Sequence, residues 1–298
     1  MFREFSPQYW DRVASSSLNY NFYQSIHYAK VYEKIFNTKT RCFVLTDDHN
    51  NIKVAGIGKE RDDRITFDFG PLVYKNTTPQ EVRDFLLYVQ ARCPKKIKFT
   101  LNKQLLESYG KMDDIPTYFN FSTIILNVPK TDDEILYGCN KNRRQIIRRV
   151  RQKDFKIETN KENLIQFYDV FCQRLRDNKA EEDPPTYEYF KELLNETPSR
   201  LIVCKKDNIL YSGMLGFMFN RYFESRYSTN NTKYMKENAG TYLDYYVIRQ
   251  LMESKEADIY DFAGYAEDET EGKFANINSY KASFGGQVQG YAFKTMDL

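Results

Sequence analysis

The stretch Asp258-Ile-Tyr-Asp-Phe-Ala-Gly264 decides the fold, together with Asn278-Ser-Tyr-Lys-Ala-Ser-Phe-Gly-Gly286, which follows it after an acidic loop. The apolar run Ile259 to Phe262 predicts a short buried strand, and the alanine–glycine pair after it lets the backbone turn. The loop from Glu267 to Glu271 is rich in carboxylates and is expected at the surface. Lys281 then stands between an aromatic residue and a Phe-Gly-Gly turn, so this single cation is a candidate to meet negative charge.

Composition limits the classes of protein to consider. The chain has 298 residues, which is long for one hydrophobic core and sufficient for two. Its net charge is only +3, so any attraction to nucleic acid must come from local clusters of cations. The five cysteines show no Cys-x-x-Cys spacing, which argues against a zinc site and a disulfide framework and suits a reducing cytoplasm. With no signal peptide and no apolar run of membrane length, we expect a cytoplasmic protein without a metal site.

The order of predicted elements recurs along the chain. A hairpin, a further strand, a helix and another strand occupy residues 41–101, and the same order returns at 201–261. The natural interpretation is two copies of one unit, giving an α+β fold in which helices cover mixed sheets. We place the domain boundary at the capping box that starts at Thr131, so the domains are 1–130 and 131–298. The last strand, 287–298, is open to a return to the first domain.

The capping box is predicted to begin a helix that becomes strongly basic. From Lys141 to Lys153 there are seven cations and no acid. Ile146, Ile147 and Val150 form a narrow apolar stripe, so one side of the helix faces protein. The arginines are expected to point elsewhere: Arg143, Arg144, Arg148, Arg149 and Arg151. Their face is either an ordinary solvated surface or a contact for phosphates, whether of a tRNA backbone or of a diphosphate group.

A second candidate for phosphate binding is weaker. Lys236-Glu-Asn-Ala-Gly-Thr-Tyr-Leu243 precedes a predicted helix, and a helix N-terminus with nearby glycines can hold a pyrophosphate on its backbone N–H groups. Only Gly240 meets that requirement, and Asn238 stands where the first glycine would be needed. An ordinary helix start is the more economical interpretation. The two histidines, His27 and His49, show no arrangement typical of a catalytic triad.

Taken in order, these motifs resemble the FemA/FemB/FemX peptidyltransferases and their GNAT-fold relatives. The resemblance is carried by Asn-x-Arg-Arg-x-Ile on the basic helix, by Tyr-Phe-x-x-Leu at Tyr189, by a tyrosine–serine strand end at Tyr227, and by the stretches 258–264 and 278–286. It is best from about residue 140 onward. It implies two tandem GNAT-like domains and an enzyme that transfers an aminoacyl group from aminoacyl-tRNA to an amine of a peptidoglycan precursor or peptide.

The resemblance also implies roles for particular residues. Lys281 matches the family lysine near the reacting ester, with Tyr280 at the neighbouring aromatic position, so both are candidate catalytic residues. Tyr189 and Tyr227 match tyrosines that contact the muropeptide precursor. The family arginine four residues before the first of these tyrosines is Pro185 here, and this departure weakens the assignment of a nucleotide-linked muropeptide as acceptor.

Three classes of function remain open from the sequence. The first is aminoacyl transfer with aminoacyl-tRNA as donor substrate, a cell-envelope acceptor, no cofactor and no metal; peripheral association with the inner face of a membrane fits this class. The second is acyl transfer from acetyl-CoA or another acyl-CoA to a saccharide or envelope precursor. The third is a non-catalytic protein that binds RNA or glycan with the same fold.

Overall fold

The computed structural model describes residues 1–102, 115–178, 183–267 and 271–296. The chain divides into two compact units, one formed by Met1–Phe121 with Gln289–Leu298 and the other by Ser122–Val288. The first division falls inside a strand, Thr117–Asn127, whereas the sequence placed the boundary in the loop at residue 131. The last strand, Gln287–Met296, pairs antiparallel with a strand of the first unit.

The first unit is a sheet with helices packed on it. Its elements are β1 (Phe2–Phe5), α1 (Trp10–Ala14), α2 (Ile26–Phe36), β2 (Lys39–Thr46), β3 (Ile52–Glu60), β4 (Arg64–Phe67), β5 (Leu72–Val73), α3 (Pro79–Arg92), β6 (Lys96–Asn102), the start of β7 (Thr117–Asn127) and most of β13 (Gln287–Met296). The described strands follow the order β1-β2-β3-β4-β6-β13, and β5 pairs with β3. β4 and β6 run parallel, while the other pairs given by register are antiparallel.

Local sequence explains why α3 forms where it does. The Thr78 side chain accepts a hydrogen bond from the Glu81 N–H, and the Glu81 carboxylate accepts one from the Thr78 N–H, which completes a capping box. Pro79 stands in the first turn, where its missing N–H leaves no hydrogen bond unmade. Phe85 and Val89 then bury the inward face of the helix completely.

The second unit has the same layered construction. Its elements are the rest of β7, α4 (Asp132–Gly138), α5 (Lys141–Val150), β8 (Lys156–Thr159), α6 (Leu164–Asp177), α7 (Tyr187–Glu196), β9 (Ser199–Lys206), β10 (Ile209–Phe219), β11 (Tyr222–Asn230), α8 (Ala239–Ser254), β12 (Ile259–Asp261) and α9 (Gly272–Ala282). The described strands follow the order β7-β12-β11-β10-β9-β8, with β11 and β12 parallel. Mixed sheets flanked by helices confirm the predicted α+β class.

Helix α8 forms the centre of the second core. Its residues Leu243, Val247, Ile248 and Leu251 are buried and belong to one apolar cluster with sheet residues such as Tyr260. Fully burying an aliphatic side chain of this kind contributes about 1.5–3 kcal/mol relative to leaving it exposed. This packing fixes the start of α8 relative to the strand β12; the start of α8 and the residues directly after β12, Phe262 and Ala263, line the site described below.

The sequence predicted one helix running from the capping box into the basic segment. The structure shows two helices instead, and the basic segment forms the second, α5. The chain is extended at Asn140, whose side chain caps α5 by accepting from the Arg143 N–H at 2.8 Å. The Asn140 N–H donates to the Ser283 carbonyl at 2.9 Å, which joins the break to the turn after α9. Gly285 in that turn has φ of 90°, and a side chain there would collide with the Gly138 carbonyl, so only glycine fits.

Candidate active site

The parallel strands β11 and β12 separate at one end, and the separation creates the site. They pair over three residues at the start of β11, the last pair being Glu224 opposite Asp261. β12 ends there, whereas β11 continues to Asn230. A cavity of about 680 Å³ lies at this end, with Ser225 and Ser228 of β11 in its wall. The separation therefore leaves a ligand-sized space inside the second unit.

A tight turn after β12 forms one wall of the cavity. Ala263 has φ of 49° and Gly264 has φ of 60°, so both lie in the left-handed region, which costs about 1 kcal/mol for a residue with a side chain such as alanine. The Asp261 carboxylate supports the turn by accepting from the Ala263 N–H at 2.7 Å. The turn points the carbonyl oxygens of Ala263 and Gly264 at the same atom, Nζ of Lys281, which donates to both.

Lys281 is held rather than mobile at this position. It stands near the end of α9, and its side chain is half-buried and lines the cavity. Burial lowers the pKa of the Lys281 ammonium to about 8, against the attraction of the carboxylates of Asp261 and Asp244. Because an ammonium has three N–H groups and two are directed at carbonyl oxygens, one remains for a ligand. The result is a cation fixed in the cavity wall, whose proton is held less tightly than that of an exposed lysine.

A buried carboxylate stands behind the lysine. Asp244 of α8 accepts hydrogen bonds from the hydroxyls of Tyr260 and Tyr280, each at 2.5 Å. Burial raises the pKa of Asp244, and the two hydroxyl donors oppose that rise. Burial and the negative charge of Asp244 also raise the pKa of Tyr280, so its hydroxyl stays protonated and acts as a donor. Tyr280 thus lines the cavity with a hydroxyl already engaged by Asp244.

The start of α8 also opens into the cavity. Asn238 has left-handed backbone angles, and Ala239, Gly240 and Thr241 follow it in the cavity wall. A side chain at position 240 would collide with the Asn230 amide, so the space directly beside the Gly240 backbone is already filled by protein. A pyrophosphate on this helix start needs close approach to the backbone N–H groups, and the Asn230 side chain lies next to the backbone at Gly240.

Comparison with known proteins agrees with this geometry. Residues 138–281 match the acetyltransferase (GNAT) domain family. The second unit has the GNAT fold, and we call it the GNAT domain below. The whole chain superposes on the crystal structure of FemX with a TM-score of 0.76 at 12% identity, covering 98% of this chain and 96% of that one. It superposes on L-PGS from Bacillus licheniformis with a TM-score of 0.62 at 11% identity, covering 99% and 93%.

A third similar structure is a tandem GNAT protein from the clavulanic acid biosynthesis pathway, with a TM-score of 0.60 at 10% identity, covering 99% of this chain and 98% of that one. At such identities these likenesses concern the fold, and they confirm the tandem GNAT architecture that the motifs predicted. A search of curated proteins found no match. Among the described residues no group of three His, Cys, Asp or Glu side chains could hold a metal ion. None of the described helices combines the length and apolar character needed to cross a bilayer.

The sequence predicted Arg143 on the solvent face of the basic helix. The structure instead places it inside the GNAT domain. Only 8% of the residue is exposed. Its Nε donates to Ser283 Oγ at 2.7 Å and its Nη1 donates to Thr241 Oγ1, while the guanidinium lies 4.2 Å from the ring centroid of Tyr280. Arg143 lines the cavity, so it is placed to act on a ligand inside the site and not on a nucleic-acid backbone outside it.

The other four arginines of this segment lie at or near the surface. Arg148 and Arg149 are exposed. Arg151 is also exposed and pairs with Asp132 at 3.1 Å. Arg144 is half-buried, donates to the Cys139 carbonyl at 3.3 Å, and has a buried Nε without a hydrogen-bond partner in the described chain. The contact of these four arginines with phosphates stays a prediction. It is best supported for Arg148 and Arg149, which are exposed.

Tyr189 and Tyr227 lie together in an aromatic cluster. Their ring centroids are 6.4 Å apart, and the Tyr227 ring is 4.8 Å from that of Phe190. Tyr227 lies within β11, which continues to Asn230, and not at the strand end where the sequence placed it. Neither tyrosine belongs to the lining of the 680 Å³ cavity. A contact with the precursor would therefore use a surface beside the cavity, and it remains a prediction.

The sequence interpretation missed two side chains of the site, Asp244 and Arg174. Asp244 stands at helical spacing from Val247, Ile248 and Leu251, so it is an acid in an otherwise apolar stripe. Arg174 has an equivalent place on α6. A charged residue on the buried face of a helix is the signal that would have identified both.

Proposed function

We propose that this protein is an aminoacyltransferase of the FemX type, which moves an aminoacyl group from aminoacyl-tRNA to an amine of a peptidoglycan precursor or another envelope peptide. The observation that carries the proposal is the Lys281 ammonium, held in the cavity wall by two backbone carbonyls. Acyl transfer is accelerated by a preorganised hydrogen-bond donor where the ester carbonyl becomes an oxyanion, and Lys281 can supply such a donor.

The reaction follows from this placement. The acceptor amine attacks the ester carbonyl. The oxyanion that forms accepts a hydrogen bond from the remaining N–H of Lys281. When the intermediate collapses, a C–N bond has formed, the C–O bond to the tRNA ribose has broken, and the proton from the amine ends on the ribose hydroxyl. The ester is already activated, so holding donor and acceptor in register supplies much of the rate. Tyr280 and Asp244 position the end of α9 from which Lys281 extends.

Two features of the GNAT domain favour tRNA over CoA as the carrier of the acyl group. The Asn230 side chain lies directly beside Gly240, so the helix start carries a side chain close to where a CoA pyrophosphate would bind. Arg149 follows Ile146 of the cavity wall by one helical turn and is exposed, as is Arg148. Exposed arginines next to a site entrance suit a polyanionic backbone. The likeness to FemX and to L-PGS points the same way.

A second candidate is acyl-CoA-dependent transfer to a saccharide or envelope precursor. Two observations favour it: the match to the acetyltransferase family and the α8 N-terminus at the cavity, whose partial positive charge attracts phosphate. For this candidate to hold, the donor's phosphates must fit at the α8 N-terminus beside the Asn230 side chain.

The test supplies two radiolabelled donors side by side, a mixture of aminoacyl-tRNAs and acetyl-CoA, each with peptidoglycan precursors, short peptides and saccharides as acceptors. Label should pass from aminoacyl-tRNA to the acceptor amine and form an amide. The amide survives mild alkali, whereas the donor ester does not. Turnover with acetyl-CoA alone would establish the second candidate. Absence of turnover with both donors, in protein whose fold is verified by circular dichroism, would favour a non-catalytic binding protein and contradict the proposal.

A further inference from the structure

Arg174 occupies a position where the fold would otherwise place an apolar residue. On α6 the buried residues Leu164, Phe167 and Phe171 follow one another at helical spacing. Arg174 and Asn178 continue that spacing, and both line the cavity of the GNAT domain. A long charged side chain is therefore aimed into the site by the same periodicity that builds the core.

The Arg174 guanidinium lacks an internal partner for one of its nitrogens. Its Nη1 is buried and has no hydrogen-bond partner among the described residues. Burial lowers the pKa of Arg174, and the charge of Tyr280, when ionised, would oppose this. The cavity's other arginines differ: Arg143 donates to Ser283 and Thr241, and Arg226 pairs with Glu224 at 3.4 Å. A desolvated N–H of a cation is costly when left unpaired, and a ligand can supply the missing acceptor.

The charges that line the cavity are unbalanced. Five cations contribute to the wall: Arg143, Arg174, Arg226, Lys273 and Lys281. The acid among the lining residues is Asp244, and its two oxygens accept from Tyr260 and Tyr280. The space between these side chains thus favours a negatively charged group.

We propose that Arg174 binds an oxyanion, a carboxylate or a phosphate, carried by the acceptor substrate. The inference rests on the proposed function for the identity of the ligand, and it adds that the acceptor bears an anionic group besides its amine. The planar guanidinium matches either oxyanion through paired N–H groups. With the acceptor anchored at Arg174 and the ester at Lys281, both reactants would be held in the same cavity.

The first test measures anion binding without turnover, so it can succeed or fail independently of the proposed function. Thermal unfolding is followed with inorganic phosphate, with N-acetylglycine, and with N-acetylglycine amide, which lacks the carboxylate. We expect phosphate, N-acetylglycine or both to raise Tm in a concentration-dependent way, and the amide to leave it unchanged. A response to only one of the two anions identifies the anionic group. Equal stabilisation by N-acetylglycine and its amide, with no response to phosphate, would overturn the proposal.

Two variants locate the binding. Arg174→Met removes the guanidinium, and we expect it to abolish the Tm response to the anion. Arg174→Lys keeps the charge without the planar fork and should retain a weaker response. The matched control is Arg176→Met on the same helix, since Arg176 is exposed and donates to Gln173. An undiminished response in both Arg174 variants would overturn the proposal.

The Arg174→Met variant is expected to fold, because it replaces an unpaired buried charge by an apolar side chain. Its ligand-free Tm should equal or exceed that of the wild type, which a purely structural arginine would not allow. In turnover assays the KM for the acceptor should rise about 10- to 100-fold, as expected when a hydrogen bond to a charged group is lost, with kcat changed much less. A fall in kcat at unchanged KM would contradict a role in binding the acceptor.

Discussion

Among the described strand pairs each unit has one parallel pair, and in both the longer strand continues past the end of the shorter one. In the first unit β4 pairs with β6 along its whole length, from Arg64 opposite Lys96 to Phe67 opposite Phe99. In the GNAT domain, β11 has nine residues, and only its first three pair with β12. β6 likewise continues beyond β4 to Asn102, so the two pairs share one construction, and in the GNAT domain a cavity lies where β11 continues.

The difference lies in what fills the space beyond the strands. In the first unit Gln24 is fully buried there; its Nε2 donates to the Asp68 carbonyl at 2.9 Å, and its Oε1 accepts from the Ile57 N–H at 3.0 Å. Backbone groups that have no strand partner are therefore satisfied by a side chain. In the GNAT domain the equivalent end is lined by Lys281 and other polar side chains around an open space. The same fold can therefore provide a binding site where polar groups face an open space and can contact a ligand.

Two lysines, Lys59 in the first unit and Lys281 in the GNAT domain, show the same contrast. Nζ of Lys59 in β3 lies 2.5 Å from the Asp68 carboxylate and within 4.6 Å of the ring centroids of Tyr28 and Tyr32. Its charge is thus neutralised by a fixed carboxylate and two rings. Lys281 contacts two neutral carbonyls instead. An ammonium held by dipoles keeps its charge available for a substrate, whereas one in an ion pair does not.

The largest expected effect comes from removing these two lysines separately. Lys281→Met should lower kcat with the aminoacyl donor by about 100-fold or more, because a fixed donor to the oxyanion is lost. Lys59→Met should leave kcat within a few-fold while lowering the free energy of unfolding by about 2 kcal/mol or more, since it leaves Asp68 without its partner. Steady-state kinetics and urea unfolding of both variants measure the two effects.

Lys191→Met is a suitable control for this pair, since Lys191 is exposed and pairs with Glu188 on the surface at 3.2 Å. The contrast between the units fails if Lys281→Met turns over at the wild-type rate. It also fails if Lys59→Met loses kcat while remaining folded.

A second prediction concerns the glutamine that closes the first unit. Gln24→Ala removes the partner of the Ile57 N–H and leaves a void, so we expect a loss of about 2–4 kcal/mol in the free energy of unfolding. Gln24→Glu keeps the acceptor for that N–H but cannot donate to the Asp68 carbonyl when ionised. Its free energy of unfolding should lie between those of the wild type and Gln24→Ala. Urea unfolding measures both changes. A loss below about 0.5 kcal/mol in Gln24→Ala would mean that Gln24 does not close the sheet.

A third prediction uses the pKa of Lys281. Its pKa in the folded protein is about 8, below the ordinary 10.5, so between these values the unfolded chain binds more protons than the folded one. The contribution of Lys281 to the free energy of unfolding therefore rises with pH between these two pKa values. The rise is at most about 1.4 kcal/mol per pH unit. The difference in unfolding free energy between wild type and Lys281→Met, measured from pH 7.5 to 10, should grow in favour of the wild type. A constant difference would mean that the pKa of Lys281 is not lowered.

The sequence alone predicted what depends on local periodicity. The hairpin β9–β10, the helix α8 and the strand–turn at Asp261 follow from apolar spacing and turn residues within a few positions. The depth of Arg143 could not be obtained in this way, because its partners Thr241 and Ser283 are 98 and 140 residues away along the chain. The same holds for Gln24, whose hydrogen bonds reach 33 and 44 residues ahead.

The smallest expected effects concern the exposed arginines of α5, and they test whether the open end of the GNAT domain receives a polyanion. Arg149→Ala and Arg148→Ala should each weaken tRNA binding a few-fold. Each should also reduce the slope of log K against log salt concentration by about one, since each would neutralise one phosphate. Filter binding with uncharged tRNA between 50 and 300 mM salt measures both quantities without any chemistry.

Arg249→Ala on α8 provides the control, because Arg249 is exposed but already pairs with Glu253 at 2.8 Å. Its removal should leave the salt slope unchanged. If all three variants lower the slope equally, binding follows the general positive charge of the protein, and α5 has no special part in it. If Arg149 alone changes the slope, the tRNA backbone passes on the side of α5 that carries Ile146 and the cavity wall, which is where an ester must arrive to reach Lys281.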